Sequence, residues 1–188
     1  MNSKLNKRLF IGISANYEIT PIFLNIKSSI LYNSGKIQWI PLENIHLTLS
    51  FLGNISFEYI PKITQSLKDI LSLDQFIVYI EKTGIFPSTQ LPTIFYLGIG
   101  KGRKKLTELQ KIIEKNIAPF KVNRKKKIFM PHVTIGKTKQ PCRKIDVLPF
   151  LKYVYSPIEL DVNSVCMYES KLFPEGMHYT VINTFPLN

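Results

Sequence analysis

Hydrophobic and polar positions alternate in some stretches of the chain and recur at helical spacing in others, and these two periods divide it into elements. Residues 8–13 form a short apolar run that predicts a first strand. Over residues 18–32, Ile19, Ile22, Phe23, Ile26 and Ile30 fall on one helical face, with Pro21 tolerated near the start and Asn33-Ser34-Gly35 as the stop. A brief strand at 36–40 and a turn at 41–44 precede a strand at 45–52. Strict alternation in that strand places Ile45, Leu47, Leu49 and Phe51 on one face and His46, Thr48 and Ser50 on the other, with Gly53-Asn54 as its end. Ser56 is expected to cap a second helix whose stripe is Ile60, Ile63, Leu67, Ile70 and Leu71. Strands at 76–83 and 93–99 flank a proline-containing loop, and a third helix carries Leu106, Leu109, Ile112 and Ile113. A basic loop, a strand beginning at His132 and a short segment at 143–151 follow. Strands at 158–168 and 179–185 close the chain, separated by a loop with Pro174 and Gly176.

The resulting order, β-α-β-β-α-β-β-α-β and then a hairpin-like pair, predicts an α+β fold with an internal duplication. Each strand that opens on His46 or His132 follows a strand–helix unit. A chain of 188 residues is long enough for a substantial core in one domain, or in two small lobes sharing a sheet. No apolar run approaches the ~20 residues that span a bilayer. The apolar stretch at residues 9–13 is too short for a signal peptide and reads as a strand. Cys142 and Cys166 have neither metal-ligand spacing nor the numbers for a disulfide framework, which leads to the expectation of a reduced, cytoplasmic protein.

The formal charge of +12 changes the picture, because basic surfaces attract polyanions. Joint enrichment in Lys, Ile and Asn can also arise from nucleotide bias in a coding sequence, so charge alone decides little. Its placement is more informative. Arg124-Lys125-Lys126-Lys127 precede the strand that opens on His132, and Lys137, Lys139, Arg143 and Lys144 follow its start.

The chemistry sits in a repeated triplet. Each of the 3 histidines is followed two residues later by threonine and then by an aliphatic residue: His46-Leu47-Thr48-Leu49, His132-Val133-Thr134-Ile135 and His178-Tyr179-Thr180-Val181. A strand turns residues i and i+2 to one face, so each triplet presents an imidazole beside a hydroxyl. Two such strands facing each other would surround a small anion with an acid, a base and two hydroxyl donors, which suits cleavage of a phosphodiester. An ordinary imidazole pKa near 6.5 lets one ring be neutral and the other protonated. His178 lacks the sequence context of the other two and is expected to be an ordinary strand residue. Trp39 is expected in the core, and Arg8 either reaches the groove or ends a solvated strand. Zinc spacing and acidic clusters are absent from the sequence around the histidines. Gly98-Ile99-Gly100-Lys101-Gly102 lacks the spacing of a nucleotide-binding loop and reads as a strand-to-helix turn.

Residues 43–53, reading ENIHLTLSFLG, and Pro131-His132-Val133-Thr134-Ile135 resemble the paired signatures of the two-histidine phosphoesterase superfamily. The branch most resembled is the RNA 2′,3′-cyclic phosphodiesterases, also called 2′-5′ RNA ligases. Arg8-Leu9-Phe10-Ile11, Trp39-Ile40-Pro41, Phe86-Pro87-Ser88 and Tyr168-Glu169-Ser170 extend the similarity nearly end to end. The resemblance implies a bilobal fold of duplicated strand-helix-strand units, with antiparallel sheets around a central groove. The whole of 1–188 would be one catalytic domain of two pseudo-symmetric lobes. It implies His46 and His132 as the acid–base pair, with Thr48 and Thr134 binding substrate and neither metal nor other cofactor. Lys137 stands where the family often has an arginine; it keeps the charge, loses bidentate geometry, and reaches the site only if the strand twists or bulges near Gly136. The implied reaction opens a terminal 2′,3′-cyclic phosphate to a 2′-phosphate. The implied partners are RNA with such ends or cyclic nucleotides, met by a monomer away from any membrane. Thr89-Gln90-Leu91-Pro92 departs from the family's basic loop, so substrate length preference can differ. Joining or cutting 2′-5′ linkages is the enzymatic alternative. A non-catalytic RNA-binding module, with steep salt dependence and no turnover, is the alternative of another class.

Overall fold

A computed structural model describes residues 6–29, 37–121, 128–138, 145–174 and 176–188. In chain order the elements are β1 (Asn6–Ser14), α1 (Asn16–Ser29), β2 (Ile37–Trp39), β3 (His46–Ser56), α2 (Ile60–Ser66), β4 (Phe76–Pro87), β5 (Pro92–Ile99) and α3 (Arg103–Ile117). Then come β6 (His132–Thr138), a short α4 (Leu148–Leu151), β7 (Ile158–Val162), β8 (Ser164–Phe173) and β9 (Gly176–Pro186). The predicted alternation of strands and helices therefore holds through β6, and the class is α+β.

The strands form one curled antiparallel sheet in the order β7-β4-β5-β6-β3-β1-β8-β9, with β2 pairing β6 off this path. The junction between β6 and β3 divides that order into halves of four strands each. One face of the sheet carries the main core. Leu9, Ile11 and Ile13 of β1, Leu47 and Leu49 of β3, and Val133 and Ile135 of β6 pack there with the apolar stripes of α1 and α3. Trp39 belongs to this side: its ring meets Phe23 of α1 edge-on at 5.9 Å. It also lies against Gly136, where an added Cβ would come within 3.4 Å of the indole. Among the described residues no helix is long and apolar enough to cross a membrane.

The structure departs from local periodicity in several places. The run predicted as one strand at 158–168 breaks at Asn163 into β7, which pairs with β4, and β8, which pairs with β1. The two parts therefore lie toward opposite edges of the sheet. β3 does not stop at Gly53-Asn54; Gly53 adopts φ 88° and the strand continues to Ser56. A residue with a Cβ rarely takes that angle, which is why glycine stands there. Ser56 does not cap a helix, since its hydroxyl donates to Glu58 at 3.1 Å and a 3-10 turn at Phe57–Tyr59 precedes α2. The predicted helix stop at 33–35, the basic run 124–127, Lys139, Cys142, Arg143 and Lys144 lie outside the described residues.

Alternation in β3 also fails after Leu49. β1 pairs Gly12 with Thr48 but Ile11 with Ser50, so Leu49 is an extra residue on β3. Such a bulge flips the side chains beyond it. Ser50 is consequently buried and donates to Glu114 of α3 at 2.6 Å, while Phe51, expected in the core, is 64% exposed on the opposite face.

Candidate active site

β3 and β6 run antiparallel and meet at the pair Leu47–Val133. That register sets His46 level with Thr134 and Thr48 level with His132, with all four on the face away from the main core. The two imidazoles are thus diagonal neighbours, a relation that separates backbones by about 7–8 Å and leaves room for a small anion. All four side chains are half-buried. These four sequence-predicted residues are therefore brought together on one face of the sheet.

The two histidines are held alike. His46 donates from Nδ1 to the carbonyl of Asn44 at 2.7 Å, and His132 does so to the carbonyl of Met130 at 2.6 Å. A carbonyl can only accept, so Nδ1 carries the proton in each ring and Nε2 remains for proton exchange. The local reason is the same at each strand start: the carbonyl two residues earlier lies within reach of the ring. Asn44 is itself buried, and its Nδ2 donates to the carbonyl of Met177 at 2.7 Å, tying the start of β9 to the support of His46.

The surroundings of the two rings differ. Phe10, Tyr179 and Tyr168 surround His46 with ring centroids at 4.7, 5.1 and 5.9 Å. Phe10 also stacks on Tyr168 at 4.8 Å. Gly12 is required beside them, because a Cβ there would lie 2.8 Å from the Leu47 carbonyl oxygen and 3.5 Å from His46 Cδ2. His132 meets Phe86 and Tyr96 at 5.1 and 5.2 Å. A Cβ at Gly84 would run into the Tyr96 ring.

These enclosures set the electrostatics. Burial pushes the His46 pKa down to about 4; the Asn44 carbonyl partly offsets this, and the charges of Lys137 and His132 add to the lowering. Burial also lowers His132, against the Met130 carbonyl, and burial raises the Tyr179 hydroxyl. The free site thus favours two neutral imidazoles near neutrality.

Lys137 reaches this face through a bulge in β6. β5 pairs Tyr96 with Thr134 but Phe95 with Gly136, leaving Ile135 as the extra residue. The condition set for Lys137 by the sequence is thereby met. Desolvation, then the neighbouring Arg8 guanidinium, lowers the Lys137 pKa.

His178 lies elsewhere. It pairs across with Lys171, whereas Tyr179 and Ser170 occupy the next level, so His178 points to the other face of the sheet from Tyr179, against Phe173 at 4.9 Å. Sequence reasoning missed Asn44, the ring enclosures and the altered aim of Phe51. The shared spacing of Phe51 and Lys137, five residues after His46 and His132, was a usable signal for the last.

Known proteins bear on this arrangement. The family model of the 2′-5′ RNA ligase superfamily matches residues 33–172. The chain is 31% identical over 186 residues to an RNA 2′,3′-cyclic phosphodiesterase of Aquifex aeolicus, covering 96% of this chain and 97% of that protein. A protein of the same name from Thermotoga maritima is 28% identical over 176 residues, covering 93% and 92%. Among solved structures, TT0787 of Thermus thermophilus superposes with a TM-score of 0.77 at 22% identity, covering 95% of this chain and 97% of that one. E. coli LigT in its apo form gives 0.71 at 19% identity, with 97% and 98% covered. At these identities the two structures speak for the fold.

Proposed function

The chain belongs to the 2′-5′ RNA ligase superfamily, and from that premise we propose that it is an RNA 2′,3′-cyclic phosphodiesterase acting through His46 and His132. One observation carries the reading. Two histidine–threonine strands share a face at the β3–β6 junction, and each imidazole has Nδ1 committed to a carbonyl and Nε2 left for proton transfer.

In this reading Thr48 and Thr134 donate to the non-bridging oxygens of the cyclic phosphate, and Lys137 adds positive charge. A neutral imidazole removes a proton from water as the water oxygen bonds to phosphorus. The bond from phosphorus to O3′ breaks, and the other ring, as imidazolium, protonates O3′. The product is a 2′-phosphate, and the rings return to their starting states by exchanging the proton with solvent. His46, with the more depressed pKa, suits the base. His132 is the easier ring to protonate, and the bound phosphate's negative charge assists it. Each of these steps is carried by the chain's own side chains.

The reading extends to a cytoplasmic monomer, away from membranes, in which 1–188 is one catalytic domain of two pseudo-symmetric lobes. The four strands on either side of the β6–β3 junction support the lobes. The buried free thiol of Cys166 fits a reducing compartment.

The test is incubation with RNA ending in a 2′,3′-cyclic phosphate, in excess chelator, with the product identified by phosphorus NMR. Conversion to a 2′-phosphate is expected, with a loss of about 10²–10⁴-fold in His46→Ala and in His132→Ala and near-normal rates in His178→Ala. Absence of turnover by folded wild-type protein would refute the activity. Retained RNA affinity in that case would favour a non-catalytic RNA-binding module.

A further inference from the structure

The groove face continues past the histidines along β1 and β3. Gly12 pairs with Thr48, Phe10 with Phe51 and Arg8 with Asn54, so each two-residue step on β1 carries the strip about 7 Å further from the catalytic threonine. The bulge at Leu49 is what keeps this strip in one plane with the site, because it turns Phe51 outward where alternation would have buried it. The strip therefore runs from hydroxyl to aromatic ring to guanidinium.

Arg8 is exposed and lies two residues along β1 from Phe10, opposite Asn54, so it shares the face of Phe10 and Gly12; its charge also acts on Lys137 and Tyr179. Among the described residues the ion pairs involve Lys7, Lys121 and Lys171, and none involves Arg8. Arg8 and Asn54 also line a cavity of about 460 Å³ that includes Lys7, Lys171 and Glu169. Glu169 is buried and spans the two lysines, at 2.8 and 3.5 Å. Glu169 pairs across with Leu9 on the core side of β1, so this carboxylate is held by its two lysines away from the face that Arg8 shares with Phe10. Exposed apolar rings scattered singly need no explanation. An exposed ring placed by a bulge between the catalytic threonine and an exposed guanidinium is a different matter.

We propose that Arg8, at the end of this strip, is a subsite for the RNA chain, holding the phosphate that links the terminal nucleotide to the one before it. The proposal rests on the phosphodiesterase reading for its direction, since the cyclic phosphate must lie between His46 and His132. The terminal nucleoside then lies along Phe51 and its 5′-phosphate meets the guanidinium, with the Asn54 amide as a second donor. The substrate class is therefore an RNA 3′ end in preference to a free mononucleoside cyclic phosphate, which has no group for Arg8 to hold.

The experiment compares a nucleoside 2′,3′-cyclic phosphate bearing a free 5′-hydroxyl with a short oligoribonucleotide of the same 3′ end, in wild type, Arg8→Gln and Arg8→Lys. In Arg8→Gln the ratio of kcat/KM for oligonucleotide over mononucleoside should fall about tenfold or more, through KM, as for loss of a charged hydrogen bond. The dependence of log KM for the oligonucleotide on log salt should become shallower by about one, and Arg8→Lys should restore most of that slope. An unchanged ratio and slope in Arg8→Gln would overturn the proposal while leaving the activity intact. Absence of turnover on both substrates would instead strike the activity. Anisotropy titration of an oligonucleotide ending in a 2′-phosphate then decides the subsite by the same slope: a shallower slope in Arg8→Gln supports it, and an equal slope overturns it.

Discussion

The depth at which His46 is held makes the pH dependence of folding the sharpest quantity to measure. Its pKa falls from 6.5 to about 4 because Phe10, Tyr168 and Tyr179 exclude water from the ring, against which one carbonyl is only partial compensation. Unfolded chains bind the proton with the ordinary affinity and folded ones do not, so between pH 6.5 and 4 the unfolded state carries more protons. Stability from this group is complete above about pH 6.5 and is lost as pH falls toward 4. The full difference is about 3 kcal/mol at 1.36 kcal/mol per pH unit, of which about 2 kcal/mol is lost by pH 5. Burial of His132 acts in the same direction. Urea unfolding at pH 7 and pH 5 of wild type and His46→Gln measures it: the wild type should lose about 2 kcal/mol more than the variant over that interval. Carbon-detected NMR should find the His46 ring still neutral at pH 5, with His132 titrating at higher pH than His46. Lys137→Met should move the His46 pKa upward, since that ammonium adds to its lowering. A His46 resonance titrating at or above pH 6.5, or equal losses in both proteins, would refute the reasoning.

Asn44→Ala removes the 2.7 Å bond to the Met177 carbonyl and should cost about 1–2 kcal/mol in denaturant unfolding, with a fall in kcat as the support of His46 loosens. Phe51→Ala should raise KM for a nucleoside cyclic phosphate about tenfold with little loss of fold stability, as read from steady-state kinetics and thermal melts, because its ring is largely exposed. Gly12→Ala forces a Cβ to 2.8 Å from the Leu47 carbonyl oxygen, so β1 and β3 must separate; activity should fall more than tenfold and the melting temperature should drop. Lys137→Arg should retain or raise kcat/KM while Lys137→Met lowers it, a contrast that rate measurements at low and moderate salt can separate.

What local sequence could establish was what local geometry dictates. A strand repeats every two residues, so the pairing of His46 with Thr48 and of His132 with Thr134 on one face was legible before any fold was known. Helix stripes such as Leu106, Leu109 and Ile113 were legible for the same reason, and all of these are buried. The order of elements through β6 followed from them. Long-range pairing decided the rest. Whether β3 lies beside β6, and in which register, depends on residues about 86 positions apart in the chain, as Leu47 and Val133 are. Bulges exist only relative to a partner strand, so the outward turn of Phe51 and of Lys137 was invisible to alternation within β3 or β6. The same holds for the break at Asn163, where a run that reads as one strand divides because its halves pair with different strands. The depressed pKa of His46 comes from rings on β1, β8 and β9, brought to it by the curl of the sheet. Chain periodicity selects which side chains share a face, and pairing between distant strands selects what that face surrounds.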